Sequence, residues 1–159
     1  MVNYARAKPE IALKSLPILV DVGGHSTILL SLSNEEQDMD DHNPLVRALA
    51  LRTISYIHVR EFVMATVDPV KRLMVDVDPY VRKTAAFCVA KLYDHHKKMV
   101  ESSDLIERLN KMLKDENPTV VSSVLASLVD IWERSESISL TIDYASASKV
   151  VSVLADCSE

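Results

Sequence analysis

Glycine occurs only twice in the 159 residues, and both copies sit together at Gly23 and Gly24. Hairpin turns and phosphate-cradling loops draw on glycine at several positions, so hairpin-rich sheets, Rossmann-type folds and P-loops are excluded. Aromatic residues are also scarce, at 5%, which makes the core aliphatic and suits helices packed on helices. There is no excess of positive charge: 18 Lys and Arg stand against 23 Asp and Glu, a formal net charge of −5. That balance argues against a nucleic-acid partner held by phosphate contacts. No uncharged stretch reaches the ~18 residues that span a bilayer. The first residues, Met1 to Glu10, contain no apolar run of the secretory kind, so Cys88 and Cys157 read as reduced cytosolic thiols. What is present is apolar content, 48% of the chain, enough to order it around a core.

One turn recurs three times: Asp41-His-Asn-Pro44, Asp76-Val-Asp-Pro79 and Asp115-Glu-Asn-Pro118. Successive prolines lie 35 and 39 residues apart, a spacing that signals stacked repeats. Each turn reads as a helix start. Asn43, Asp78 and Asn117 can cap free amides, and proline has no amide to waste at the first helical position.

Helical periodicity follows each proline. Val46, Ala50, Thr53 and Ile57 match Val81, Ala85, Cys88 and Leu92, then Val120, Val124, Ser127 and Ile131. These offsets trace one helix face, widened by Ile54, Val89 and Leu128. Small residues in mid-stripe (Ala50, Thr53, Ala85, Cys88, Ser127) allow a neighbouring helix to approach closely. Before the second and third turns, Val67, Val70, Leu73 and Met74 match Ile106, Leu109, Met112 and Leu113. Ser103 and Asp104, with Glu107 following, predict a capped start for that third first-helix. Pro69 predicts a kink or restart, with Asp68 as its cap. The unit is helix, turn, helix, and such pairs must stack to bury both faces. The sequence thus predicts an all-α fold, a right-handed α-solenoid of HEAT/armadillo-like helix pairs. Its units are placed at about 9–59 with an insertion near 20–40, at 61–94 and at 103–134, with a half repeat at 145–159.

Asp41 and Asp76 precede Arg47 and Arg82 by six residues each. Such pairs can bond along the seam between units; the alternative is a capping Asp and a separate exposed Arg. Val121 replaces the arginine in the third unit, so the ladder stops there or gives way to packing.

No reactive constellation stands out, so no catalytic, cofactor-binding or metal residues are assigned. His95 and His96 are adjacent and point about 100° apart on a helix, the wrong geometry for a shared metal. With Lys97 and Lys98 they read as a solvated cluster at a helix end. His25, His42 and His58 have no metal-compatible spacing. Cys88 and Cys157 lack a base in their own helix turn and read as structural thiols. The acidic run Glu35 to Asp41 reads as a solvated loop, with a metal or a basic partner as the alternative. Trp132 stands where the other units have His58 and Tyr93 and reads as core or seam packing, with a partner contact as the alternative. Lys71, Arg72, Arg82, Lys83, Lys97 and Lys98 read as solvent-facing charges, with a patch for anionic lipid headgroups as the alternative.

The pattern Asp-x-Asn/Asp-Pro-x-Val-Arg resembles HEAT or armadillo repeats. More narrowly, Asn43-Pro-Leu-Val-Arg-Ala-Leu-Ala-Leu-Arg-Thr53 and Asp78-Pro-Tyr-Val-Arg-Lys-Thr-Ala-Ala-Phe-Cys-Val-Ala-Lys-Leu-Tyr93 resemble the trunk of beta-adaptin, the beta large subunit of clathrin adaptor complexes. Val2-Asn-Tyr-Ala-Arg-Ala-Lys-Pro9 and Leu154-Ala-Asp-Cys-Ser-Glu159 look like earlier and later pieces of the same trunk. The stretch around Val20 to Asn34 departs from the family as an insertion without the repeat. The chain reads as a fragment, lacking the family's hinge and appendage.

The resemblance implies a non-enzymatic scaffold in vesicle-mediated protein transport and cargo sorting, with no cofactor. Its implied partners are a second large, a medium and a small adaptor subunit, with clathrin through regions absent here. An Arf-family GTPase and anionic lipid headgroups are further implied partners. The implied location is cytoplasmic, peripheral on Golgi/endosomal membranes or plasma-membrane coated pits and vesicles. Another HEAT scaffold (coatomer, nuclear-transport or phosphatase subunit) is the same-class alternative, and a HEAT-like metal-dependent enzyme the different-class one.

Overall fold

The computed structural model describes residues 38–56, 60–135 and 144–156. Six helices are delimited in these segments: α1 (Pro44–Ile54), α2 (Arg60–Leu73), α3 (Pro79–Ser102), α4 (Leu105–Met112), α5 (Pro118–Arg134) and α6 (Tyr144–Asp156). No strand occurs among the described residues. The fold is all-α and built of packed helix pairs. Residues 20–37 of the insertion expected near 20–40, together with Ile57, His58 and Cys157, lie outside the described residues.

The helices that follow the prolines form one layer. α3 packs most extensively against α5, and next against α1. α2 lies against α1 and α3, α4 against α3 and α5, and α6 against α5. The stripe residues face these contacts: Ala50, Ala85, Cys88, Val89, Val120, Val124, Ser127 and Ile131 are all buried. Polar members of the faces are satisfied within their own helices. Thr53 Oγ1 donates to the Leu49 carbonyl (3.1 Å), Thr84 Oγ1 to Tyr80 (2.7 Å) and Ser127 Oγ to Ser123 (2.9 Å). With hydroxyls bonded internally, such residues present a nearly apolar surface to the next helix.

Several local expectations need correction. α2 runs through Pro69 without a break. The missing amide deprives only the carbonyl of Ala65, an exposed residue where water can substitute. Asp68 is not a cap; it pairs with Lys71 at 3.3 Å. Asp104 makes no side-chain cap bond at the start of α4, because Lys71 Nζ and Arg108 Nε, each at 2.7 Å, draw its carboxylate into an ion triad. Ser103 Oγ accepts from the Leu105 amide only at 3.4 Å.

The end of the acidic run is not a solvated loop. Asp38 and Met39 are helical, and Met39 is fully buried. It stands two residues before Asp41, as buried Met74 and Leu113 stand before Asp76 and Asp115. His96 does stand at a helix end, where two helical segments meet across a kink, but it is only partly solvated. The backbone breaks there (φ −135°, ψ 46°) within α3, and its Nε2 is buried. Tyr93, two per cent exposed, spans this break through its hydroxyl, 2.8 Å from Glu101 Oε1. Trp132, at the matching place on α5, is 49% exposed, so it is not a core residue.

Candidate functional site

The three turns share one conformation. Asn43, Asp78 and Asn117 have φ of −85°, −89° and −86° with ψ of 115°, 123° and 119°. Each side chain accepts from the amide two residues on: Leu45 at 3.0 Å, Tyr80 at 2.7 Å and Thr119 at 2.9 Å. Pro44, Pro79 and Pro118 follow at the first helical position. The aspartate that opens each turn closes a second ring. Asp41 Oδ1, Asp76 Oδ1 and Asp115 Oδ1 accept from the amides of Asn43, Asp78 and Asn117 at 2.7, 2.8 and 2.8 Å. The repeated residues thus pair off two backbone amides per turn that no helix bond could satisfy.

Arginine then joins each turn to the next. Arg47 Nε and Nη2 donate to Asp76 Oδ2 and Oδ1 at 2.8 and 2.7 Å, across 29 residues. Its Nη1 donates to the carbonyls of Asp41 and His42 at 2.7 and 3.2 Å. Arg82 repeats the arrangement one unit later. Its Nε and Nη2 reach Asp115 at 2.7 and 2.9 Å, and its Nη1 reaches Asp76 O and Val77 O at 2.8 and 3.1 Å. Only a planar guanidinium can hold a carboxylate with one edge and carbonyls with the other; an ammonium lacks that fork.

The ladder residues are well shielded. Side-chain exposure is 12% and 9% for Arg47 and Asp76, and 17% and 10% for Arg82 and Asp115. Burial works to raise the pKa of Asp76 and Asp115. The arginine bonds and the backbone amides outweigh it, holding both carboxyls below the ordinary range. At the third turn Val121 is buried in place of an arginine. The cation there comes instead from α6, where Lys149 Nζ donates to the Lys114 carbonyl at 3.1 Å and helps to lower the Asp115 pKa. Nothing in the spacing of the repeat signals that substitution.

Around the ladder, three of the six basic residues named for a lipid patch are held in ion pairs. Lys71 binds Asp104, Arg72 binds Asp40 at 2.9 Å, and Arg82 binds Asp115. Arg134 binds Asp94 and Asp130, tying α5 to α3. The buried Cys88 thiol is pushed up to about 12 by desolvation, which removes it from thiolate chemistry near neutral pH. No group of three or more His, Cys, Asp or Glu fit to hold a metal occurs among the described residues, and no described helix is long and apolar enough to cross a membrane.

An arrangement of capped turns cross-linked in file defines a class: a HEAT-like helical scaffold. Residues 45–159 match the family model of Cnd1, non-SMC mitotic condensation complex subunit 1, and the chain belongs to that helical family. Nearly the whole chain is also similar to beta subunits of adaptor complexes. It is 41% identical over 98% of its length to the AP-2 complex subunit beta of Schizosaccharomyces pombe, covering 21% of that protein. It is 36% identical over its full length to the AP-1 complex subunit beta of Dictyostelium discoideum, covering 15% of it. With the AP-1 complex subunit beta-1 of Homo sapiens the identity is 34% over the full length, again 15% of the relative. The chain spans about a fifth or less of each of these curated beta-subunit relatives.

Proposed function

We propose that the chain is a scaffold segment of the beta subunit of a clathrin adaptor complex, acting in vesicle-mediated protein transport and cargo sorting through protein–protein contacts. The observation that carries this reading is the identity of 34–41% to adaptor beta subunits over 98–100% of the chain. Capped turns and stripes alone are shared by any HEAT scaffold, whereas identity running the length of the chain is not.

The partners are then the second large, the medium and the small adaptor subunits, with clathrin met through regions outside this chain. An Arf-family GTPase is a further partner on this reading. Lys71, Arg72 and Arg82 are engaged by aspartates, so contact with anionic headgroups falls to lysines outside these pairs, such as Lys98. The setting is the cytoplasmic face of Golgi/endosomal membranes or of plasma-membrane coated pits. The mechanism is that of a spring-like support: successive pairs touch only their neighbours, so a long surface forms without a reactive centre.

Affinity purification of the tagged chain from its own cells tests the proposal. Recovery of medium, small and second large adaptor chains is expected. The match to the condensation-subunit family model favours a second reading, another HEAT scaffold. Recovery of chromosome-condensation subunits without adaptor chains supports that reading and overturns the first.

A further inference from the structure

A groove of about 400 Å³ runs along α3, between the end of α1 and Asp130 near the end of α5. Its floor is mostly apolar: Leu51, Cys88 and Ala90 are buried there beside Ser55 and Thr84, whose hydroxyls donate to the carbonyls of Arg52 and Tyr80. Three aromatic side chains line it without being covered: Tyr56 is 66% exposed, Tyr80 37% and Phe87 46%. In a chain with only eight Phe, Trp and Tyr residues, three at one exposed place are costly unless something lies against them.

Stacking does not call for them. The positions that match Tyr80 and Phe87 in the repeat are Leu45 and Arg52 on α1, and Thr119 and Ala126 on α5. The aromatic pair therefore belongs to this face and not to the solenoid pattern.

Charge indicates the occupant. Arg52, Lys83 and Lys91 rim the groove against one carboxylate, Asp130, in a chain whose net charge is −5. Asp130 is itself engaged by Arg134 at 2.6 Å. Lys83 Nζ rests 5.1 Å from the centre of the Tyr80 ring, so the cation is held beside the aromatic wall. Arg52 makes no ion pair among the described residues, and Lys91 reaches Asp94 only at 3.9 Å.

We propose that this groove docks an acidic peptide segment of a partner protein, with one bulky apolar side chain seated between Tyr80 and Phe87. The apolar anchor supplies the burial, and the acidic flanks meet the three cations at the rim, where they set orientation and selectivity. The surface lies apart from the turn ladder, and the proposal stands or falls independently of the adaptor reading.

The test is fluorescence anisotropy of a fluorescein-labelled nonapeptide, glutamates around one phenylalanine and one leucine, titrated with the intact chain. A counterpart with lysine for every glutamate and phosphatidylserine vesicles are run beside it. Saturable binding of the acidic peptide is expected, weakened at least about tenfold in Phe87→Ala, weakened in Lys91→Glu and by added salt, and strengthened in Asp130→Asn. Lys91 is exposed, so its variant keeps the fold even if Phe87→Ala does not. Absence of saturable binding overturns the proposal, as does binding indifferent to Lys91→Glu. Tighter binding of the lysine peptide or of the vesicles overturns the assignment of the partner.

Discussion

Arg82 and Asp115 are joined by two parallel bonds of 2.7 and 2.9 Å, while the remaining terminal nitrogen of the guanidinium holds two carbonyls of its own turn. One side chain therefore locks the shape of one turn and fixes the position of the next. Arg47 does the same one unit earlier with Asp76. The repeat is thus cross-linked at its turns as well as packed through its helices.

Removing a link should cost more than removing an ordinary surface charge. Arg47→Ala leaves Asp76, at 9% exposure, without its charged partner and strips two carbonyls of a donor. A loss of about 2–3 kcal/mol is expected. Arg72→Ala breaks a pair whose side chains are 55% and 64% exposed, and should cost under about 1 kcal/mol. Urea midpoints at unchanged slope measure both.

The acid limb of stability has a defined sign. Asp104 is held down to about 2 by its bonds from Lys71 and Arg108, and Asp76 and Asp115 are also lowered. Carboxyls whose folded pKa is depressed contribute stability that is present above their unfolded value of about 4 and is lost as pH falls through the folded value. Melting temperature should therefore fall steeply between about pH 4 and pH 2, and Asp104→Asn should flatten that fall. Thermal melts across this range decide it; an unchanged slope in the variant contradicts the assignment.

Asn117 accepts from two amides, Thr119 at 2.9 Å and Val120 at 3.3 Å. Asn117→Ala should lower stability by about 1 kcal/mol, and Asn117→Asp should largely retain it. Chemical denaturation of the two variants provides the comparison.

Much of this architecture was legible in the residues. Proline, a capping residue and an aspartate two places earlier announce each turn, and period-3.6 spacing announces the stripe, because both depend on local geometry alone. Met39 was hidden by its acidic neighbours, although its place two residues before Asp41 was a usable signal. Lys149 could not be foreseen: its partner lies 35 residues away, and no periodicity encodes which cation a stacked helix will present. Trp132 shows the other limit. It matches Tyr93 in register, but Tyr93 is buried where α3 continues past its break to Glu101, whereas the described part of α5 ends at Arg134. Register specifies a face and leaves depth along the stack to the neighbours.

Cys88 provides a probe of local opening. Buried in the α3 stripe and with its pKa pushed up to about 12 by burial, it should resist alkylation by iodoacetamide at pH 8 in a Cys157→Ser background. Mass spectrometry should show label only once urea unfolds the chain. Rapid labelling in the native state contradicts close packing of α3.

The most direct test of the ladder is a double-mutant cycle between Arg82 and Asp115, using Arg82→Ala, Asp115→Ala and the double variant, with stability read from urea unfolding. A coupling of at least about 1.5 kcal/mol is expected, since the pair is bidentate and shielded. Independent, additive losses would show that the turns are not linked through this bond, and would contradict the account of how the units are held in file.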